Sequence, residues 1–170
     1  SNGPKKDLLT DELTRLEKYI SGGGKILCML DPFSAPSLST LMAKYGVAVG
    51  NNIIIDRMSR IFGADYTMPV VSSYDSHDIT KDLNAASFFP LACSVEPVPA
   101  PDKGIEAQSL ARTSRDSWAE TNKEMLDTGK ASFEEGKDNP GPISVAVVVS
   151  IDTGKAKTNQ KSVNNKSEMP

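Results

Sequence analysis

Apolar positions in the first fifth of the chain fall at helical spacing. In "LLTDELTRLEKYIS", Leu13, Leu16 and Ile20 share one face, while Asp11, Arg15 and Lys18 occupy the other. Thr10 is placed to cap this helix, with Asp11 and Glu12 favourable in its first turn. Gly22 is placed to end it in a left-handed conformation. "KILCML" follows as a continuous apolar run, the pattern of a strand buried on both faces. "SLSTLMAKYGV" repeats the helical logic: Ser37 caps, Leu38, Leu41, Met42 and Tyr45 form one apolar face, and Gly46 stops it. "NNIIID" reads as a short strand entered by a polar turn.

From Arg57 onward the pattern is less regular. Arg57 and Arg60 open a stretch broken by Gly63 and Pro69, and "PVVSSY" is a further strand candidate. "HDITKDL" reads as a short helical turn that begins just after His77. "ASFFPLACSVEPV" is an apolar strand candidate that Pro90 confines to an edge or bulge. Pro97 to Gly104 reads as a surface loop, "EAQSLARTS" as a strand, and "KEMLDTGKASFEEGKDNPGP" as a loop. "ISVAVVVSI" is apolar and β-branched, and is expected to be a central strand. Strands alternating with helices in the first third predict an α/β fold with a largely parallel sheet.

Composition narrows this picture. A chain of 170 residues carries one domain, expected over residues 3–151, with a polar tail at 152–170 too poor in hydrophobics to order itself. A net charge of −3 argues against a chain-wide basic surface for nucleic acid. No run approaches the ~18 apolar residues of a membrane span, and the first residues are polar, unlike a signal peptide. The sequence is expected to be a fragment of a longer parent.

Candidate chemistry is sparse. In "SGGGKILCMLDP" the order is helix, glycines, strand, the reverse of a phosphate loop, so the three glycines read as a helix stop and joint. Asp31 ends the strand expected before Pro32, where it either caps the next turn or serves as a site residue at the sheet's C-terminal edge. There is no G-x-S-x-G or G-x-C-x-G elbow. "YDSHDIT" gathers Asp75, His77 and Asp78, either as a surface turn or as an imidazole base beside carboxylates. Arg57, Arg60, Arg112 and Arg115 are either separate solvated charges or an anion site if the fold gathers them. Trp118 is either a lid over the core or a contact residue. Cys28 and Cys93 lie in apolar runs as small buried residues, and with one histidine they form no zinc cluster. No cofactor or metal is implied.

Five segments in register carry a resemblance: "GPKKDLLTDELTRLEKYISGGGKILCMLDP", "LMAKYGVAVGNNIIIDRMSRIFGADYTMPVVSSYDSHDIT", "FFPLACSV", "LARTSRDSWAET" and "GKDNPGPISVAVVV". Over residues 3 to 150 the chain resembles the auxiliary domain of uncharacterised ABC-type transport systems. This is the GldG-like, gliding-motility-associated family, related to the GIFT domains of intraflagellar transport. The resemblance implies a three-layer α/β sandwich like class I glutamine amidotransferases (flavodoxin-like) without the catalytic elbow. "HDIT" resembles an "HPIT" segment of such domains, with Asp78 in place of proline. It also implies a membrane-anchored parent with this domain on the periplasmic face of a bacterial inner membrane, and ABC permease and ATPase subunits as partners. The expected function is non-catalytic binding through Asp31, Arg57, Arg60, His77, Asp78 and Trp118. The alternative is a divergent hydrolase or sugar-binding enzyme that uses His77 as base, oriented by Asp31 or Asp75.

Overall fold

The computed structural model describes residues 7–152. Helix α1 spans Thr10–Ser21 and helix α2 spans Pro36–Lys44. Thr10 is the first helical residue of α1, not its cap. Glu12 folds back instead, its Oε2 accepting from the Leu9 amide at 2.8 Å. The left-handed turn after α1 falls on Gly23 (φ 89°), while Gly22 keeps a negative φ. At α2, Pro36 occupies the first turn, where its missing N–H costs nothing. Ser37 does not cap this helix: its amide donates to the Asp7 carboxylate at 3.1 Å, and its hydroxyl also donates to it. The Ser37 hydroxyl, more than the amides of Ser37 and Leu8, holds the Asp7 pKa below its ordinary value.

The strands are short and every pairing among the described residues is antiparallel. Strand β1 (Val47–Val49) pairs with β5 (Val95–Pro97). Strand β2 (Ile53–Asp56) pairs with β7 (Ser117–Glu120), which pairs in turn with β8 (Asn139–Pro140). Strand β3 (Val70–Val71) pairs with β4 (Ser87–Phe88). The longest ribbon joins β6 (Ile105–Arg112) to β9 (Ser144–Ile151), with an irregularity in register between Ser109 and Arg112.

The expected flavodoxin-like three-layer sandwich with a mainly parallel sheet is therefore not the fold. Its intended first strand, Lys25–Leu30, forms no strand and belongs to no sheet among the described residues. Leu27 and Met29 are 88% and 74% exposed, whereas Cys28 and Leu30 pack inward. The run is half-buried, not covered on both faces. Prolines shorten the other candidates. Pro69 precedes the two-residue β3, and Pro90 splits "ASFFPLACSVEPV" into β4 and β5. "ISVAVVVSI" forms β9, but as half of a two-stranded ribbon. "KEMLD" folds as a short helix, α3 (Lys123–Asp127), not a loop. The polar tail from residue 153 onward lies outside the described residues.

Two apolar clusters form the core. Ala35, Leu38, Leu41, Met42 and Val47 are buried between α1, α2 and the β6–β9 ribbon, with Leu13, Leu16, Val147 and Val149 packed on them. Ile54, Ala119 and Ile143 form the second, against Ala92 and Val145. Asn52 and Ser94 close the corner between β1 and β2. The Asn52 amide donates to the Ser94 hydroxyl at 2.9 Å and accepts from the Ser94 amide at 3.0 Å. A side chain at Gly50 would collide with both residues, its Cβ falling within 2.2 Å of their polar atoms, so this approach requires glycine. Cys28 and Cys93 are free thiols, and burial raises the pKa of each.

Candidate functional site

Strand β2 ends in Asp56, which is fully buried. Its Oδ1 accepts from the Met58 amide at 3.0 Å and from the Ser114 hydroxyl at 2.7 Å. That first bond caps a 3₁₀ helix over Arg57–Phe62, which Gly63 (φ 75°) ends. Asp56 Oδ2 is also buried, and has no hydrogen-bond partner among the described residues. The buried Ser59 hydroxyl donates to the Met68 carbonyl at 2.9 Å, and the Asp56 amide to the Tyr66 carbonyl at 2.9 Å. The 3₁₀ helix is thus fastened to the segment that follows it.

A 3₁₀ helix turns once in three residues, so Arg57 and Arg60 lie on one face. The β2–β7 register sets Trp118 opposite Ile55, and the Arg57 guanidinium lies 5.3 Å from the Trp118 ring centre. The Arg60 guanidinium lies 5.0 Å from the Tyr66 ring centre. Both geometries are cation–π contacts. Trp118 itself is buried, its indole N–H donating to Glu120 Oε2 at 3.3 Å, so Arg57 is what the surface presents there. Neither Arg57 nor Arg60 forms an ion pair among the described residues.

Exposed apolar side chains lie on the same 3₁₀ helix and on the segments bonded to it. Ile61 is 73% exposed, and Phe62, Tyr66, Phe88 and Leu91 are exposed as well. Phe62 meets Phe88 edge to face, with ring centres 6.4 Å apart. The Leu91 amide donates to the Thr67 carbonyl at 2.8 Å, which fastens the chain at Leu91 to the segment that follows the 3₁₀ helix. Asp65 is held below its ordinary pKa of 3.8, first by the Thr67 amide and then by the Thr67 hydroxyl. Its carboxylate is thus already engaged.

The other candidate residues lie in different settings. His77 lines a groove of about 600 Å³ with Glu106, Gln108, Ser150 and the Pro97–Ala100 segment. Its Nδ1 accepts from the Ile79 amide at 3.1 Å. Asp75 turns away to Arg112, its Oδ2 accepting at 3.3 Å, and Arg112 also reaches Glu96 at 3.6 Å. Asp78 is exposed and pairs with Lys81 at 3.1 Å. No hydrogen bond joins His77 to a carboxylate among the described residues. Asp31 is half-buried and close enough to Cys93 for its charge to help raise that thiol's pKa. Arg115 is exposed. The four arginines thus do not form one site: Arg57 and Arg60 share a face, while Arg112 belongs to an ion-pair network. Among the described residues no group of three or more histidine, cysteine, aspartate or glutamate side chains is arranged to hold a metal. Nor is any helix among them long and apolar enough to cross a membrane.

Tyr66, Ile61, Phe62 and Phe88 were not singled out by the sequence. The signal was present in "RMSRIFGADY", where arginines alternate with large apolar residues in a segment too polar for a core helix.

Fold and surface together define a domain of small antiparallel sheets and few helices that displays an arginine–aromatic surface at the end of β2. Over residues 2–169 the sequence matches the family described as ABC-type uncharacterized transport system, and the chain belongs to this family of transport-system auxiliary proteins. No curated protein matches the sequence. Among solved structures, one described as the mmIFT52 N-terminal domain is similar at a TM-score of 0.55 and 20% identity. The match covers 70% of this chain and 56% of that one, so the chain spans little more than half of that structure's length. The likeness is one of fold.

Proposed function

We propose that the chain is a non-catalytic, extracytoplasmic auxiliary domain of a gliding-motility-like (GldG-like) ABC-type transport system, and that it works by contact with other proteins. The parent is membrane-anchored on the periplasmic side, and its partners are the permease and ATPase subunits. The observation that carries this reading is the pair of ring-stacked arginines beside exposed Ile61, Phe62 and Phe88. Arginine and aromatic residues are the side chains that dominate binding energy at protein interfaces. Family membership supports the transport context.

Affinity capture of the full-length parent from gently solubilised membranes tests it. The permease and ATPase are expected to accompany the domain. Recovery of the parent alone, under conditions that preserve a known transporter complex, would overturn the reading.

The groove beside His77 supports a second reading, in which the domain binds a small polar ligand such as a sugar. Catalysis there is disfavoured, because Asp75 is committed to Arg112 and His77 Nδ1 to a backbone amide. Calorimetric titration of the 170-residue chain with a panel of sugars tests this alternative; no heat from any of them would remove it.

A further inference from the structure

Resting on that contact reading, we infer that the Arg57–Arg60 face docks an acidic peptide segment of a partner protein: two carboxylates about 6 Å apart, flanked by apolar residues. The spacing follows from the helix. Three residues at about 2.0 Å rise per residue separate the backbone positions of the two arginines by about 6 Å along the helix axis. Alternate residues of an extended peptide are about 6.6 Å apart, and residues four apart on an α-helix about 6 Å.

Stacking on Trp118 and Tyr66 orients each guanidinium before a partner arrives. A guanidinium lying on a ring keeps its N–H edge for a carboxylate, with which it makes a paired, directional contact. No carboxylate among the described residues lies within ion-pair distance of either guanidinium. Asp56, next to Arg57, is buried and turned to Met58 and Ser114, and Asp65 is held chiefly by Thr67, with the Arg60 charge acting on it more weakly. The flanking apolar requirement comes from exposed Ile61 and Phe62 on the same 3₁₀ helix and from Phe88, which meets Phe62.

Charge favours a peptide over a polyanion. Residues 53–70 contain two arginines, two aspartates and no lysine, and the chain carries a net charge of −3. Anionic membranes and nucleic acids are held by dense clusters of lysine and arginine. Two isolated guanidiniums in an apolar setting suit two single carboxylates instead.

The experiment is a titration of the 170-residue chain with the blocked peptide Leu-Glu-Val-Glu-Leu, followed by NMR of the arginine Nε–H groups and by Trp118 fluorescence. Trp118 is the only tryptophan, so its emission reports this site. Saturable shifts of the Arg57 and Arg60 signals are expected. They should weaken about tenfold when both glutamates are replaced by glutamine, the scale of two exposed ion pairs. Raising the salt from about 0.05 to about 0.5 M should weaken them further. Arg57→Gln with Arg60→Gln should abolish the response, while Arg57→Lys with Arg60→Lys should keep charge but lose part of the affinity.

Equal binding of the glutamine peptide, or no shift at Arg57 and Arg60, would overturn the inference; neither result depends on a variant folding. Arginine-dependent binding to phosphatidylserine vesicles without a peptide response would overturn it in favour of a lipid headgroup. The parent carrying the Gln pair separates this inference from the broader reading. If it still captures the transporter subunits, the docking face is wrong and the auxiliary role stands. If the unaltered parent captures nothing, the auxiliary role itself fails.

Discussion

Asp56 decides whether the arginine face exists as a rigid surface. It ends β2, caps the 3₁₀ helix through the Met58 amide, and ties that junction to Ser114. Asp56→Ala removes both bonds and is expected to cost about 1–2 kcal/mol of unfolding free energy, the usual scale of a lost cap. Asp56→Asn keeps an acceptor at Oδ1 and should hold the helix in place. Urea denaturation measures the cost, and a red shift of Trp118 emission in Asp56→Ala alone would show that Arg57 no longer covers the ring. An unshifted spectrum in Asp56→Ala would mean that the stack persists without its cap. Sequence showed Arg57, Arg60 and Trp118 as separate residues of interest, but not their meeting. Arg57 reaches Trp118 only because β2 and β7, some sixty residues apart, pair in one register. The reverse holds for His77 and Asp75, which are near in sequence but take up different partners. Proximity along the chain does not fix side-chain direction.

At the scale of elements, periodicity located α1, α2, β2, β6 and β9, because long amphipathic or β-branched segments carry their own signal. It did not reveal the sheet. A continuous apolar run says that a strand-like segment exists, not which neighbour it pairs with or in which direction, and that choice is made by tertiary contacts. Lys25–Leu30 is the sharpest case, and it yields a direct test. In a central parallel strand, Leu27 would be buried and Leu27→Asp would unfold the protein. Here Leu27 points to solvent, so Leu27→Asp should change stability by no more than about 0.5 kcal/mol. Leu41, buried in the first cluster, is the contrast: Leu41→Ala should cost about 2–5 kcal/mol. Urea midpoints of the two variants decide between the folds. A collapse of Leu27→Asp would mean that Leu27 is covered in solution.

Across the whole molecule, the two apolar clusters share one strand. Val147 and Val149 of β9 pack on the first cluster and Val145 on the second, so neither can loosen without disturbing the strand that holds the other. Polar contacts reinforce the same strand: the Ser144 amide at its start donates to Glu96 at 2.8 Å, and Glu96 also faces Arg112 on β6. This arrangement predicts one cooperative unfolding unit despite the division of the strands into small sheets. Two probes see different halves. Helical circular dichroism reports chiefly α1 and α2 around the first cluster, while Trp118 fluorescence reports β7 beside the second. Their urea transitions should coincide. Val147→Ala, which removes a contact in the first cluster only, should lower both midpoints together by the equivalent of about 1–2 kcal/mol. If the circular dichroism midpoint moved while the fluorescence midpoint stayed, the clusters would be separate units joined by a pliable ribbon. Coincident shifts would mean instead that β9 couples the two clusters into one unit, so that loosening either one costs the stability of the entire domain.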